Sequence, residues 1–279
     1  MSFKSILVHL NDRRRAGQLL AQATALAERF GAHLLGLHVF PGIPPVPPIP
    51  LPYAGDVVTD ALRAEQDETE ALAALFASAT AGRPFVSEWL AVKALHLDLA
   101  GVVMEHGRAA DLIVCAQSDP EWDLAPVLDF PERLALESGR PVLTVPYAGT
   151  FPRLARCAVI AWNGKREAAR AAFDALPLLS AAEEVYILSV VGADAGSHAR
   201  TPDLSLAAAL ARHGIKATVK QSTAGDIDIG NELLSRLGDL GAELLVMGAY
   251  GHSRFRELVF GGATRHIARH MTVPTLFSH

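Results

Sequence analysis

The residues best suited to chemistry in this 279-residue chain lie close together near its end. The apolar run Leu244-Leu245-Val246-Met247 leads into Gly248, Gly251 follows after two residues, and nine residues later Gly261-Gly262-Ala263-Thr264 opens a helical pattern. Glycines let backbone N–H groups approach anionic oxygens closely, and the unpaired amides of a helix start add the positive end of its dipole. His252, Ser253 and Arg254 supply further donors. A strand, a glycine loop and a helix in this order point to phosphate binding; the bland alternative is a loop that uses glycine for its turns alone. Catalysis has no comparable set of residues. The histidines show no metal-ligand spacing, and neither a Gly-x-Ser-x-Gly elbow nor a Walker-type Gly-Lys-Thr loop is present. His266 and His270 share one helical face, which suits a solvated or interface role.

The elements that must position this loop are written twice. Ile6-Leu7-Val8-His9-Leu10-Asn11 lines up with Ala158-Val159-Ile160-Ala161-Trp162-Asn163 at an offset of 152, each a short apolar run that ends in asparagine. Leu19, Leu20, Ala23, Ala27 and Phe30 then recur at helical steps, as do Ala168, Ala172, Phe173 and Leu176. Ala110-Asp111-Leu112-Ile113-Val114 aligns with Ala242-Glu243-Leu244-Leu245-Val246 at an offset of 132, so the second copy is 20 residues shorter. The missing length falls opposite a proline-rich loop at 41–55 and a longer helix at 56–81. That loop is read as a lid or dimer contact rather than a proline-motif ligand.

Further strands are expected near 34–39, 84–92, 110–116 and 141–145, and near 185–191, 215–221, 243–248 and 273–278. The predicted fold class is α/β, with two similar open, mostly parallel five-stranded sheets flanked by helices and arranged as an internal pseudo-dimer. The domains are predicted at 1–147 and 153–279, joined by a short linker. The fifth strands end each sheet, and their edges need cover from within the chain or from a second copy.

Net charge is −5, which excludes a global electrostatic case for nucleic acid or an anionic membrane. The sum hides an asymmetry: residues 1–150 carry −7 and residues 151–279 carry +2, so the second half alone invites an anion. Cys115 and Cys157 lie in apolar runs and are expected to be buried, reduced residues. With no signal-like or membrane-spanning stretch in the sequence, the expected location is the cytoplasm.

With these residues in view, the chain resembles a tandem member of the universal stress protein family. The family loop pattern of glycine, two residues, glycine, nine residues, glycine and then a hydroxyl residue is met by Gly248, Gly251 and Gly261, with Gly262 where the hydroxyl usually stands and Thr264 at a further hydroxyl position. The resemblance implies ATP or a related adenine nucleotide, with Mg2+ as a companion of the phosphates. Gly248, Gly251, Gly261 and Gly262 would supply backbone phosphate contacts, with His252 close by, and Thr264 a hydroxyl. Val190, or Val191 if the alignment slips by one, and Met247 would line the base pocket. Asn163 stands where nucleotide-binding relatives usually carry aspartate, and it serves equally as a turn or helix cap.

At the positions of Gly248, Gly251, Gly261 and Gly262 the first half has Ala116, Asp119, Asp129 and Phe130, which would repel or obstruct an anion. At most one nucleotide site per chain is expected. The leading reading is a nucleotide-sensing stress-response regulator, not an enzyme, with an adenine nucleotide, an unknown protein partner and a homodimer as its associations. A nucleotide-free interaction protein is the alternative, and a slow ATPase or adenylyl-transferring enzyme a third.

Overall fold

Ile6, Leu7 and Val8 are completely buried, and so are Ala158, Val159 and Ile160 at the repeat positions, so the first strand of each half is covered on both faces. The computed structural model describes residues 2–41, 51–94, 98–122, 125–152, 154–192, 204–225, 227–249 and 262–279. Residues 42–50 of the proline-rich loop lie outside the described residues. Two compact units are present, Phe3–Phe130 and Pro131–His279.

The first unit runs β1 (Ser5–His9), α1 (Arg13–Phe30), β2 (His33–Pro41), α2 (Leu51–Thr80), β3 (Ser87–Ala94), α3 (Leu99–Gly107), β4 (Leu112–Ala116) and α4 (Ala125–Leu128). Its strands lie in the order β3-β2-β1-β4 and are all parallel, with Leu7 between Leu35 and Ile113. Asp12 caps α1 by accepting from Arg14 N, and Gly31 ends it in the left-handed region at φ 59°. Gly36 on β2 gives α2 room to close on the sheet: a Cβ there would collide with the Phe76 ring, which packs against Trp89 at 5.4 Å. Asp111 Oδ2 accepts from Lys4 N and Ser5 N at the head of β1.

The second unit runs α5 (Pro131–Glu137), β5 (Val142–Val145), β6 (Cys157–Ala161), α6 (Arg166–Asp174), α7 (Leu176–Leu179), β7 (Glu184–Gly192), α8 (Ser205–Arg212), β8 (Ala217–Ala224), α9 (Ile229–Asp239), β9 (Leu244–Gly248), α10 (Gly262–His270) and β10 (Thr275–Ser278). The order is β5-β10-β9-β6-β7-β8. The five repeat strands β6 to β10 are parallel, as the sequence predicts. Glu243 repeats the role of Asp111, its Oε2 accepting from Arg156 N at 2.9 Å.

β5 is the exception. It runs antiparallel to β10, with Leu143 opposite Leu276, and so covers the edge that the last repeat strand would otherwise leave open. Because β5 pairs with β10, the compact units divide after Phe130, whereas the sequence repeat places its seam between 147 and 153. The two divisions measure different things, packing in one case and duplication in the other.

Cys115 and Cys157 are buried and form no disulfide. Burial, with Glu184 and Glu243 nearby, raises the Cys157 thiol above its usual range. Among the described residues, no helix is long and apolar enough to cross a membrane.

His9 sits at the end of β1 with its ring 5.2 Å from Phe130. Burial, reinforced by His38 and Arg15, lowers its pKa to about 3 from 6.5. Burial also lowers His38. Between pH 6.5 and about 3 the unfolded chain therefore binds a proton at His9 that the folded chain refuses, and stability must fall as pH falls. The slope from one such histidine approaches about 1.4 kcal/mol per pH unit. His9→Phe is expected to remove that share, read as a shallower difference between urea unfolding curves at pH 7, 5.5 and 4.5. An unchanged slope would contradict a neutral, buried His9.

Candidate functional site

β6, β7 and β9 run parallel, so their carboxyl ends open on one edge of the second unit, the usual place for a ligand in a sheet of this kind. A cavity of about 380 Å3 lies there. Its apolar wall comes from Leu188 and Val190 of β7, Met247 of β9, and Ile229 and Leu233 of α9. Its polar wall comes from Asn163, Lys165, Glu167, Gly248, Gly262 and Thr264. Six residues singled out in the sequence, Asn163, Val190, Met247, Gly248, Gly262 and Thr264, are thus brought together, and Val190 rather than Val191 faces the cavity. Gly251, His252 and Gly261 lie outside the described residues.

The individual contacts refine the sequence reading. Asn163 is exposed, and its Oδ1 accepts from Lys165 N at 3.0 Å, closing the turn before α6 beside Gly164 at φ 71°. Its oxygen is therefore used locally while the residue still borders the cavity. Gly248 meets a packing demand: a Cβ there would stand 2.5 Å from Ala168 N and from Glu167 C, so β9 can approach the first turn of α6 through glycine alone. Gly262 is different. It is exposed at the start of α10, a Cβ would meet nothing within 4 Å among the described residues, and the first-turn amides of the helix carry its positive end. Thr264 is buried.

Several lining residues escaped sequence reasoning, Trp162 and Glu167 among them. Trp162 brings an indole Nε1 that is buried and has no hydrogen-bond partner among the described residues. Glu167 is buried and pairs with Arg166. Burial alone would raise its carboxyl, but the Arg166 hydrogen bond, its own backbone N–H, the Arg166 charge and His279 together hold it below the ordinary range. The available signal was the repeat itself, since Glu167 stands at the offset of Arg15 and reverses its charge.

His266 and His270 stack at 4.5 Å, with His270 Nδ1 on the His266 carbonyl. His266 also packs against Gly230 of α9, where a Cβ would come within 2.8 Å of it. This is a structural pair. Among the described residues, no group of three or more His, Cys, Asp or Glu side chains could hold a metal ion.

In the first unit the position that aligns with the glycine loop holds a carboxylate tied to its own chain. Asp129, at the offset of Gly261, accepts Arg15 Nη2 on Oδ1 at 2.9 Å and Arg15 Nη1 on Oδ2 at 3.0 Å. Asn11 Nδ2 donates to Oδ1, and Asp119 N donates to Oδ2 at 3.1 Å. The sequence reading expected this carboxylate to repel an incoming anion. The structure adds that it occupies the donors itself, with a side chain 1% exposed.

Residues 158–279 match the model of the universal stress protein family. The chain is similar in structure to a universal stress protein from Archaeoglobus fulgidus DSM 4304, with TM-score 0.68 and 14% identity over 98% of this chain and 95% of that one. It is also similar to a functionally unknown protein from Pseudomonas aeruginosa PAO1, with TM-score 0.59 and 14% identity over 99% and 92%. At these identities the likeness establishes the fold. No curated protein matches the chain.

Gly248→Ala is expected to cost about 1–3 kcal/mol in urea unfolding, because backbone rather than a flexible side chain blocks the new methyl. Asp129→Ala is expected to cost more, about 3–5 kcal/mol, since it strands the buried Arg15 guanidinium. A loss below 1 kcal/mol in the second variant would mean that the pair is open to solvent.

Proposed function

From the membership of residues 158–279 in the universal stress protein family, we propose that this chain binds ATP or a related adenine nucleotide in its second unit and acts as a nucleotide-sensing stress regulator. The observation that carries the reading is the meeting of Val190, Met247, Gly262 and Thr264 around one cavity of about 380 Å3. That volume is within the range of small-ligand sites, roughly 300–1,000 Å3. Val190 and Met247 offer apolar surface to a base. Gly262 and the α10 amides, together with the Thr264 hydroxyl, favour the phosphates, and the loop glycines Gly251 and Gly261 complete the set expected from sequence.

Arg166 holds the Glu167 carboxylate and so reduces its repulsion toward phosphate.

Two observations favour a second reading, a nucleotide-free interaction protein: Glu167 lines the same cavity, and the Asn163 oxygen is spent on its own turn. Gly262→Asp separates the two. Its Cβ meets no described residue within 4 Å and a carboxylate suits a helix start, so the apo melting temperature should hold, while like charge should abolish phosphate binding. The expected result, titrating ATP, ADP and AMP with and without Mg2+, is a saturable rise in melting temperature for wild type that is absent in the variant. No shift at millimolar nucleotide in wild type would establish the nucleotide-free reading.

A further inference from the structure

The stretch between β4 and the end of the first unit, described at 117–122 and 125–130, is tied to the start of that unit by polar contacts more than by apolar burial. Gln117 and Ala125 are its only fully buried residues among those whose burial is described. Asn11 Nδ2 donates to Leu128 O at 2.8 Å, and Arg15 Nη1 donates to Gln117 O at 3.1 Å. Arg15 also forks onto Asp129, and Asp119 N donates to the same carboxylate, so Asp129 fastens the stretch at both ends. The Trp122 ring lies against the Arg15 guanidinium, 4.6 Å from its centre. Trp122 and Leu128 border a cavity of about 430 Å3, shared with Asn11 and Val39, so solvent already stands beside this strap. A segment held in this way opens before the sheet beneath it, because few buried apolar contacts are given up. Opening rehydrates Arg15 and Asp129 together and strands neither charge.

His9 lies under the strap. The residue is 3% exposed, its ring stands 5.2 Å from Phe130, and its Nε2 is buried without a hydrogen-bond partner among the described residues. The ionisable groups that act on it are His38 from β2 and Arg15 from α1, while Asp129 of the strap is engaged by Arg15. An imidazolium in this place would have no acceptor and would stand beside a guanidinium, so the closed strap admits the neutral ring alone. With Phe130 lifted away, water reaches the ring and it takes a proton as an ordinary histidine does.

We propose that residues 117–122 and 125–130 form an acid-released strap, closed over neutral His9 and held open when His9 is protonated. Opening presents the Arg15 guanidinium, the Asn11 amide and the Trp122 ring, so acid changes the surface that the first unit offers. The open strap binds a proton that the closed strap refuses between pH 6.5 and about 3, and opening therefore grows as pH falls through that window. The device lies within the first unit and does not depend on nucleotide binding by the second.

Hydrogen–deuterium exchange of the full chain at pH 7.5, 6.5 and 5.0, corrected for the intrinsic pH dependence of exchange and read by mass spectrometry, tests the strap. The amides of Asp119, Trp122, Ala125 and Asp129 are hydrogen-bonded while it is closed. Their protection is expected to fall about 30-fold from pH 7.5 to 5.0, the limit for one histidine with its ordinary value in the open state, while peptides from β1, β4 and β9 keep theirs. His9→Phe keeps an aromatic ring against Phe130 and is expected to flatten the dependence to less than about threefold. His9→Gln, smaller and equally unable to titrate in this range, serves where the phenyl ring does not pack. The proposal is overturned if protection of the strap is the same at pH 7.5 and 5.0. It is overturned equally if the β1 and β4 peptides lose protection in step with the strap, which is unfolding of the whole unit, or if a folded His9 variant keeps the wild-type dependence.

Discussion

The burial of parallel strands on both faces is the constraint from which the rest of this molecule follows. A parallel pair cannot be joined by a tight turn, so each strand must be followed by a crossover, and the helices of those crossovers cover the sheet. β1 and β6 meet this condition with side chains that are completely buried. The same condition sends every strand-to-helix connection to one edge. Asn11 and Asn163, Val39 and Val190, and Met247 and Gly248 at the end of β9 reach their cavities because strand ends in a parallel sheet converge on one edge.

Within that common frame the two halves solve the same electrostatic problem with opposite signs. The first half places Arg15 at the start of α1 and answers it with Asp129, so a cation and an anion supplied by the chain neutralise each other out of water. The second half places Glu167 at the repeat position of Arg15, keeps glycine where the first has Asp129, and opens α10 with an exposed glycine. One site is closed toward anions by its own carboxylate, while the other presents the positive end of a helix. A duplicated fold can thus carry opposite charges at equivalent positions without altering its strands.

Much of the architecture could be read from the chain before any coordinates. The two alignments, at offsets of 152 and 132, place the strands because apolar runs and helical spacing are local properties. Six of the candidate site residues meet at one cavity for the same reason: strand ends in a parallel sheet converge on one edge. The roles within the site were less legible. Gly248 looks like a phosphate residue in sequence, yet its first duty is to let β9 approach α6. Asn163 was equally a cap or a ligand contact, and its oxygen is found on Lys165 N. Trp162 and Glu167 carried no motif, because a lone indole or carboxylate gains meaning from burial and neighbours.

The sequence by itself determined the duplication, the alternation of strands and helices, the reversed charge of the two halves and the survival of a glycine loop in the second. Those features are written in residue type and spacing along the chain. Tertiary structure alone decided that β5 runs antiparallel to β10, that Asp129 takes the donors of Arg15 and Asn11, and that the His38 ring is buried with Nδ1 on the Leu10 carbonyl. Arg15 and Asp129 are 114 residues apart, and no local pattern links them. Such pairings are fixed by which edges and donors remain unsatisfied once the helices have packed, because a buried polar group or an open strand edge must find its partner wherever the fold has brought one.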